Sequence, residues 1–165
     1  ELGGGDIPMV RPNFDVRPGL FVDQVMDFNK PLLLPSSCCD GIICKFAIEH
    51  ISWKTVRGFI AETHRLLKPG GIAVFITANL LEQARKLVET ERWNDDLVCA
   101  VFGGQGYKED THTTGWSPEY AMRMFKEQGY FDVKVEPLPW CDTDMTITAY
   151  KSSADVAYAL PTREV

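Results

Sequence analysis

The first residues of the chain, Glu1-Leu2-Gly3-Gly4-Gly5-Asp6, combine an acid with a run of glycines. Glycine lacks a Cβ, so Gly3 and Gly5 can adopt positive φ and let a flat or anionic group lie against bare peptide. Glu1, at the carboxyl end of a strand, can accept hydrogen bonds from a cationic or hydroxyl group. Ligands of open α/β sheets bind at these carboxyl ends. The stretch therefore indicates a ligand-binding turn, with an ordinary glycine-rich turn as the alternative.

The spacing of these glycines excludes two common nucleotide-binding motifs. A dinucleotide fingerprint needs G-x-G-x-x-G and an acid about 20 residues further on. Here Pro8 occupies the third glycine position, and Asp15 comes too early. A P-loop needs a Gly-Lys-Ser/Thr ending, which the sequence lacks. Nicotinamide and triphosphate ligands are therefore not expected.

Three acids stand where short strands are expected to end, namely Glu1, Asp15 and Asp27. Separate acids at adjacent strand ends suit a ligand that has ribose hydroxyls, an adenine amino group and a positively charged head, but no phosphate. S-adenosylmethionine has these parts. The acids therefore favour this cofactor over a nucleotide.

An alternation of strands and helices must position these residues. Pro8 and Pro12 exclude a regular first crossover helix. Ser52 is expected to cap a helix that ends at the Lys68-Pro69-Gly70-Gly71 turn. Asn79 is expected to cap a second helix, whose apolar residues face inward. Those residues are Leu80, Leu81, Ala84, Leu87 and Val88. Two further helices are expected within residues 93–102 and 117–128, and strands over residues 13–16, 21–26, 40–46, 72–77, 131–137 and 145–151.

This order predicts a Rossmann-like, doubly wound α/β fold with a mostly parallel sheet and an antiparallel C-terminal strand pair. Residues 1–151 are expected to form the domain, and residues 152–165 a loosely held tail. Only Glu1 precedes the glycine turn, so the first strand is truncated in this sequence, and we expect further residues upstream of Glu1.

Composition narrows the class of partner. The formal net charge of −6 weighs against a nucleic-acid surface and favours a small-molecule substrate. The five cysteines form no C-x-x-C pair and no histidine lies at metal-ligand spacing, so no metal site is expected. The absence of a disulfide framework and of an apolar run of about 18 residues favours a cytoplasmic protein without a membrane span. The oligomeric state stays open.

Five short motifs together resemble class I S-adenosylmethionine-dependent methyltransferases, in particular the type 11 group with a short first loop. They are Glu1-Leu-Gly-Gly-Gly5, Asp15-Val-Arg17, Asp27-Phe28, Phe46-Ala-Ile-Glu-His50-Ile and Leu67-Lys-Pro-Gly-Gly71. The resemblance extends to about Lys151 and implies a seven-stranded sheet with a reversed last strand. It also implies that S-adenosylmethionine is bound and that S-adenosylhomocysteine is the product.

The resemblance implies a role for each motif at the cofactor. Glu1, Gly3, Gly4 and Gly5 would line its methionine end. The ribose and adenine would meet Asp15, Val16, Arg17, Asp27 and Phe28, and the backbone of Lys45 and Phe46 would face the amino-acid moiety. His50, beside this site, and His112, in the loop of residues 103–115, are the candidate catalytic bases. The alternative for His50 is a structural role, in which it hydrogen-bonds to backbone and fixes the corner between strand and helix. The alternative for His112 is a solvated histidine in the loop.

Other readings stay open at this stage. His64 is expected to be structural. Three aromatic residues either form a wall of the acceptor site or only pack within the fold, namely Tyr107, Trp116 and Trp140. The leading hypothesis is a small-molecule methyltransferase; a catalytically silent scaffold or partner subunit and an aminopropyl transferase are the alternatives. Sugars, lipid head groups, phenols and peptides all remain acceptors that the sequence allows.

Overall fold

A computed structural model describes residues 1–154 of the chain. The strands are β1 (Phe14–Asp15), β2 (Gln24–Val25), β3 (Cys39–Lys45), β4 (Leu67–Ala78), β5 (Asp132–Leu138) and β6 (Cys141–Tyr150). The helices are α1 (Val56–Leu66), α2 (Leu80–Thr90), α3 (Asp95–Phe102) and α4 (Pro118–Glu127). Most of the segment predicted as a tail, residues 155–165, lies outside the described residues.

Leu2 joins two groups of strands into one sheet. It forms parallel bridges to Phe14 of β1 and to Cys44 of β3, and its N–H donates to the Ile43 carbonyl over 2.8 Å. The resulting order is β2, β1, Leu2, β3, β4, β6, β5, with β1–β2 and β3–β4 parallel. β6 runs antiparallel to both β4 and β5. The predicted Rossmann-like fold with an antiparallel C-terminal pair is confirmed, and β6 lies inside the sheet rather than at its edge.

The Lys68-Pro69-Gly70-Gly71 segment forms an irregularity within β4 instead of a turn before the strand. Leu67 pairs with Cys39, and the register then shifts so that Ile72 pairs with Gly41. Gly70 has φ +79°, a conformation that side chains other than glycine rarely adopt. The Lys151 carbonyl accepts from the Gly70 N–H, and the Gly71 carbonyl accepts from the Lys151 N–H, so the end of β6 holds this irregularity in place.

Phe75 of β4 marks the centre of the core. Its ring lies 6.4 Å from Phe59 of α1 and 4.9 Å from Phe125 of α4, both edge-on. Aromatic pairs favour such edge-to-face packing, so α1 and α4 are fixed on one side of β4 by a single shared residue. All three rings are buried.

Two helix predictions were wrong in detail. α1 begins at Val56, and its N-cap is Thr55 rather than Ser52; the Ser52 carbonyl instead accepts from Thr55 and Val56 in a preceding turn. Asn79 does cap α2, accepting from Glu82 N, but none of the five apolar residues predicted to face inward is buried. Val88 is 76% exposed and Gln83 is the buried residue of this helix. Within residues 1–154, no helix is long and apolar enough to cross a membrane.

Candidate active site

A cleft of about 420 Å³ opens where the strand ends of β1 and β3 meet the glycine turn. This volume falls in the range of about 300–1,000 Å³ that is typical of small-molecule sites. The wall on the side of the glycine turn contains Gly3, Gly4, Gly5, Asp15, Val16, Arg17, Asp27, Phe28 and Asn29. The rest of the lining consists of Phe46, Ala47, His50, Ile51, Ser52, Tyr107, Lys108, Glu109, Thr111 and Thr113.

The glycine turn adopts the predicted backbone. Gly3 has φ +78° and Gly5 φ +53°. A Cβ on Gly3 would lie 2.3 Å from the Ala47 Cβ, whereas a Cβ on Gly5 would meet nothing within 4 Å. Gly3 is therefore required for close packing against the turn after β3, and Gly5 leaves an open face of bare peptide that a ligand can approach.

Asn13 holds the glycine turn, a role that sequence reasoning missed. Its side chain is fully buried. The Nδ2 group donates to the carbonyls of Gly5 and Phe21, each over 2.9 Å, and Oδ1 accepts from Gly4 N over 3.1 Å. An asparagine just before a short strand was the available signal, because this side chain can satisfy donors and acceptors of a turn at the same time.

The Asp15 and Asp27 carboxylates are both oriented by backbone N–H groups. Asp15 accepts from Gly5 N and Arg17 N, each over 3.0 Å. Asp27 accepts from Asn29 N over 3.0 Å and pairs with Lys30. Burial alone would raise the pKa of Asp27, but the Lys30 ammonium and the Asn29 N–H outweigh it and lower the pKa. A carboxylate has about four lone-pair sites, so both acids can still accept from ligand hydroxyl or amino groups.

The turn after β3 has a non-glycine residue in the left-handed region. Phe46 has φ +48°, and its N–H donates to the Ile76 carbonyl over 2.8 Å. Such a conformation is uncommon for a bulky side chain and marks a position that the surrounding structure must enforce. Here it directs the chain away from β3 at the floor of the cleft, and Phe46 itself remains partly exposed.

The loop of residues 103–115 is bound to the turn after β3 by paired hydrogen bonds. The Glu49 carbonyl accepts from the backbone of Thr113 and Thr114, and the hydroxyls of these threonines donate to the carbonyls of His50 and Ile51. On the far side of the cleft, the Arg17 guanidinium lies 3.4 Å from the centre of the Tyr107 ring. The loop therefore closes one side of the cleft and contacts the end of β1.

Glu49, His50 and His112 meet at the boundary of the cleft. The two imidazole rings lie 4.8 Å apart, edge to face. His50 Nδ1 lies 3.3 Å from the Thr111 carbonyl; since a carbonyl only accepts, this nitrogen carries the proton and Nε2 keeps its lone pair. Burial lowers the pKa of His50, and burial together with His50 lowers that of His112. Both rings are therefore neutral near pH 7 and able to accept a proton.

The Glu49 carboxyl is buried and its Oε2 accepts from the Thr77 hydroxyl over 2.9 Å. Burial raises its pKa to about 7, against the opposing hydrogen bonds from backbone and Thr77. One potential metal-ligating atom from each of Glu49, His50 and His112 lies within 4.8 Å of the others. Ligands of a tetrahedral metal lie about 3.4 Å apart for bonds of about 2.1 Å, so the widest pair in this cluster would have to close to hold an ion.

A second cavity of about 290 Å³ lies on the other side of His112. It shares Thr113 with the cleft. Its remaining lining residues are Glu49, Ala78, Leu80, Gln83, Ala100, Val101, Phe102, His112, Thr114, Gly115 and Trp116. This cavity could not be predicted from the sequence, because its walls come from β4, α2, α3 and the loop after α3, which approach one another only in the folded chain.

Some predicted site residues lie elsewhere. The Glu1 carboxylate accepts from Met9 N and Val10 N, and neither Glu1 nor Lys45 is among the residues that line the cleft. His112 lines the second cavity and His50 the cleft. Trp140 is 80% exposed and lies in neither cavity, so it cannot form a wall with Tyr107 and Trp116 as suggested from the sequence.

Comparison with known proteins identifies the architecture. Residues 13–75 match the family model described as a methyltransferase domain. Solved structures of S-adenosylmethionine-dependent methyltransferases match most of the described fold. The chain has the class I methyltransferase fold. The class I fold that the resemblance of the sequence motifs implies is thus confirmed, while no curated protein matches the chain.

Three solved structures illustrate the match. A Thermotoga maritima protein described as a possible histamine N-methyltransferase is 15% identical, with a TM-score of 0.61 over 92% of this chain and 81% of that one. The Burkholderia thailandensis 1,6-didemethyltoxoflavin-N1-methyltransferase, with 1,6-didemethyltoxoflavin and S-adenosylhomocysteine bound, is 13% identical, with a TM-score of 0.54 over 85% of this chain and 60% of that one. A chain from the complex between the Haloferax volcanii Trm112 methyltransferase activator and a methyltransferase is 13% identical, with a TM-score of 0.56 over 92% and 80%.

Proposed function

We propose that this chain transfers the methyl group of S-adenosylmethionine to a small-molecule acceptor by in-line displacement. The observation that carries the proposal is the cleft itself: a glycine turn with an open peptide face at Gly5, and two backbone-oriented carboxylates, Asp15 and Asp27, along one wall. The methyltransferase-domain match and the class I fold support the same cofactor.

The residues of the cleft suit the cofactor chemically. Asp15 and Asp27 offer acceptors for ribose hydroxyls and an adenine amino group, and Phe28 offers an apolar ring beside them. The carboxylates favour a ligand with a positive centre, and the turn lacks the Gly-Lys-Ser/Thr ending that would hold phosphate. When bound, S-adenosylmethionine supplies a methyl group that is already activated by its attachment to a sulfonium.

The contribution of the protein is then positioning and proton acceptance. The walls must hold the acceptor atom about 3 Å from its target in a fixed orientation. The neutral His50 Nε2, facing away from the Thr111 carbonyl, can take the proton of an acceptor hydroxyl or ammonium. The second candidate for this role is His112, whose ring centre lies 4.8 Å from that of His50 and which lines the other cavity.

Calorimetric titration of S-adenosylmethionine and S-adenosylhomocysteine tests the cofactor assignment. We expect micromolar binding by the wild-type chain and about tenfold weaker binding by Asp15→Asn, because one charged acceptor is lost. Asp40→Asn is the matched control, since Asp40 pairs with Lys68 on the surface at the start of β3. A folded chain that binds neither compound would overturn the proposal.

A second candidate is a methyltransferase-like subunit that acts only with a protein partner. It is favoured by the exposed apolar residues of α2 and α3 and their connection, among them Val88, Trp93 and Phe102, and by the activator in the Haloferax volcanii complex. The two candidates differ in one observable. The enzyme alone produces S-adenosylhomocysteine when an acceptor is present, whereas the partner-dependent subunit binds the cofactor and produces none.

A further inference from the structure

We propose that the 290 Å³ cavity is the acceptor site and that it selects a small uncharged molecule with both a hydrogen-bond donor and a hydrogen-bond acceptor, which pair with Gln83 and Trp116. This inference rests on the proposed methyl transfer, because it assigns the second substrate of that reaction to a place in the fold.

Two buried polar atoms in the wall of this cavity lack a hydrogen-bond partner. Gln83 is 2% exposed and Trp116 is 1% exposed. The Oε1 atom of Gln83 and the Nε1 atom of Trp116 are both without a partner among the described residues, and both residues line the cavity. Buried polar groups are nearly always paired, and leaving one unpaired is costly. Neither atom is accessible from the cavity in the free chain, so an acceptor carbonyl and an indole donor in one wall point to a ligand that completes both after a small rotation of the two side chains.

The charge of the cavity disfavours ionic ligands. None of the lining residues is Lys or Arg, so a phosphate or carboxylate would enter without a compensating cation, which is unfavourable in a buried site. Glu49 is the one acid of the lining; its Oε2 accepts from Thr77, and burial raises its pKa to about 7, so at or below neutral pH a cation would also meet little compensating charge. Leu80, Val101 and Phe102 add apolar surface. The cavity therefore suits a neutral molecule that is partly apolar.

The position of the cavity fits an acceptor site. It adjoins the cofactor cleft at Thr113, which lines both spaces, and beside this junction His50 lines the cleft and His112 lines the cavity. Its volume corresponds to roughly ten waters at ~30 Å³ each, which is large enough for a ring compound. A molecule placed here would have a candidate base beside it and would reach the cleft past Thr113.

The chain with S-adenosylhomocysteine added is probed with 2-pyridone, which has an N–H donor beside a carbonyl acceptor. Its controls are 1-methyl-2-pyridone, which lacks the donor, and benzoate, which is charged. The readout is the set of indole N–H signals in the ¹⁵N-labelled chain. The chain has four tryptophans; Trp116→Phe assigns the signal of Trp116, and the exposed Trp53, Trp93 and Trp140 serve as internal references.

We expect 2-pyridone to shift the Trp116 signal and to bind at least fivefold more weakly to Gln83→Leu and to Trp116→Phe, because each loses one hydrogen bond. Gln83→Leu carries this test alone if Trp116→Phe does not fold. Equal binding by the variants, a Trp116 signal that does not move, or binding of benzoate as strong as that of 2-pyridone would overturn the proposal. Binding of S-adenosylhomocysteine is measured in the same samples, so a failure of the proposed cofactor is distinguished from a failure of the proposed acceptor site.

Discussion

The Asn13 side chain and the backbone of Gly5 form a direct hydrogen bond, Nδ2 to carbonyl oxygen, over 2.9 Å. The same side chain accepts from Gly4 N and donates to the Phe21 carbonyl. The glycine turn, the start of β1 and the segment before β2 are thus held by one buried amide. The shape of the turn depends on this residue as much as on its glycines.

We expect Asn13→Ala to lower the free energy of unfolding by about 2–4 kcal/mol, since it leaves buried backbone groups without partners. Cofactor affinity should fall at the same time, because Gly4 and Gly5 lose their support. Urea denaturation and titration of S-adenosylhomocysteine measure the two effects. Asn94→Ala is the matched control: Asn94 caps α3 on the surface, so it should cost about 1 kcal/mol and leave cofactor affinity unchanged. Unchanged stability of Asn13→Ala would contradict the role of this residue.

Local signals predicted much of this fold from the sequence. The buried strand within β4, the Asn79 cap of α2 and the Ser117–Pro118 start of α4 all follow from neighbouring residues. The positive φ of Gly3 and Gly5 was likewise expected from their place in the turn. Each of these features is decided by contacts within a few residues, which a linear pattern records.

Long-range contacts decided what the sequence could not predict. The apolar residues of α2 have the spacing of a buried face, yet this helix turns Gln83 toward the fold and leaves Val88 in solvent. The second cavity requires the loop after α3 to pair with Glu49 through Thr113 and Thr114. Such pairing depends on where segments far apart in sequence meet, and spacing along the chain does not record it.

The stack of Arg17 on Tyr107 provides a test of how the loop of residues 103–115 contributes to cofactor binding. We expect Tyr107→Ala to weaken binding of S-adenosylhomocysteine about two- to fivefold, the effect of losing a partly exposed cation–π contact. Tyr107→Phe keeps the ring and should bind as the wild type does. Arg123→Ala removes a guanidinium from Tyr120 on α4, away from both cavities, and should have no effect. Equal affinities of Tyr107→Ala and wild type would show that the loop is not part of the site.

The raised pKa of Glu49 predicts a dependence of stability on pH. The carboxyl has a folded-state pKa of about 7, above its ordinary value of 4.5, so the folded chain holds this proton more tightly than the unfolded chain. The stability that this proton contributes is present below pH 4.5 and is lost as pH rises through 7. Glu49→Gln removes the titration. The free energy of unfolding of Glu49→Gln minus that of the wild type should therefore increase by about 3 kcal/mol between pH 4.5 and pH 8.

Chemical denaturation at several pH values measures this difference. Any effect of Glu49→Gln on stability that does not depend on pH, such as an altered hydrogen bond to Thr77, cancels when the values at the two ends of the pH range are compared. Asp40→Gln is a suitable surface control, because the side chain is exposed, and its difference from the wild type should change far less over the range. A Glu49→Gln difference that stays constant with pH would mean that the pKa of Glu49 is the same in the folded and the unfolded chain.

The neutral state of His50 predicts the pH dependence of the reaction. Burial lowers its pKa, so the ring can accept a proton at pH 7 and loses this ability only at pH values below the ordinary histidine range of about 6.5. With a hydroxyl acceptor, His50→Gln should reduce kcat by about 10²–10⁴ and remove the acid limb of the pH profile. A reduced rate with an unchanged acid limb would assign the base to another group, and the same experiment on His112→Gln tests that residue.

The unpaired Oε1 of Gln83 predicts that removing this amide stabilises the free chain. Leucine has a similar size and no polar atom, so Gln83→Leu should raise the free energy of unfolding by about 1 kcal/mol when no acceptor is present. A site kept for ligand binding often carries such a cost in stability. Gln24→Leu, on the exposed β2, should stay within about 0.5 kcal/mol of the wild type. If Gln83→Leu is less stable than the wild type, the amide supports the fold, and the free energy of unfolding then gives no support to a ligand-binding role for Gln83.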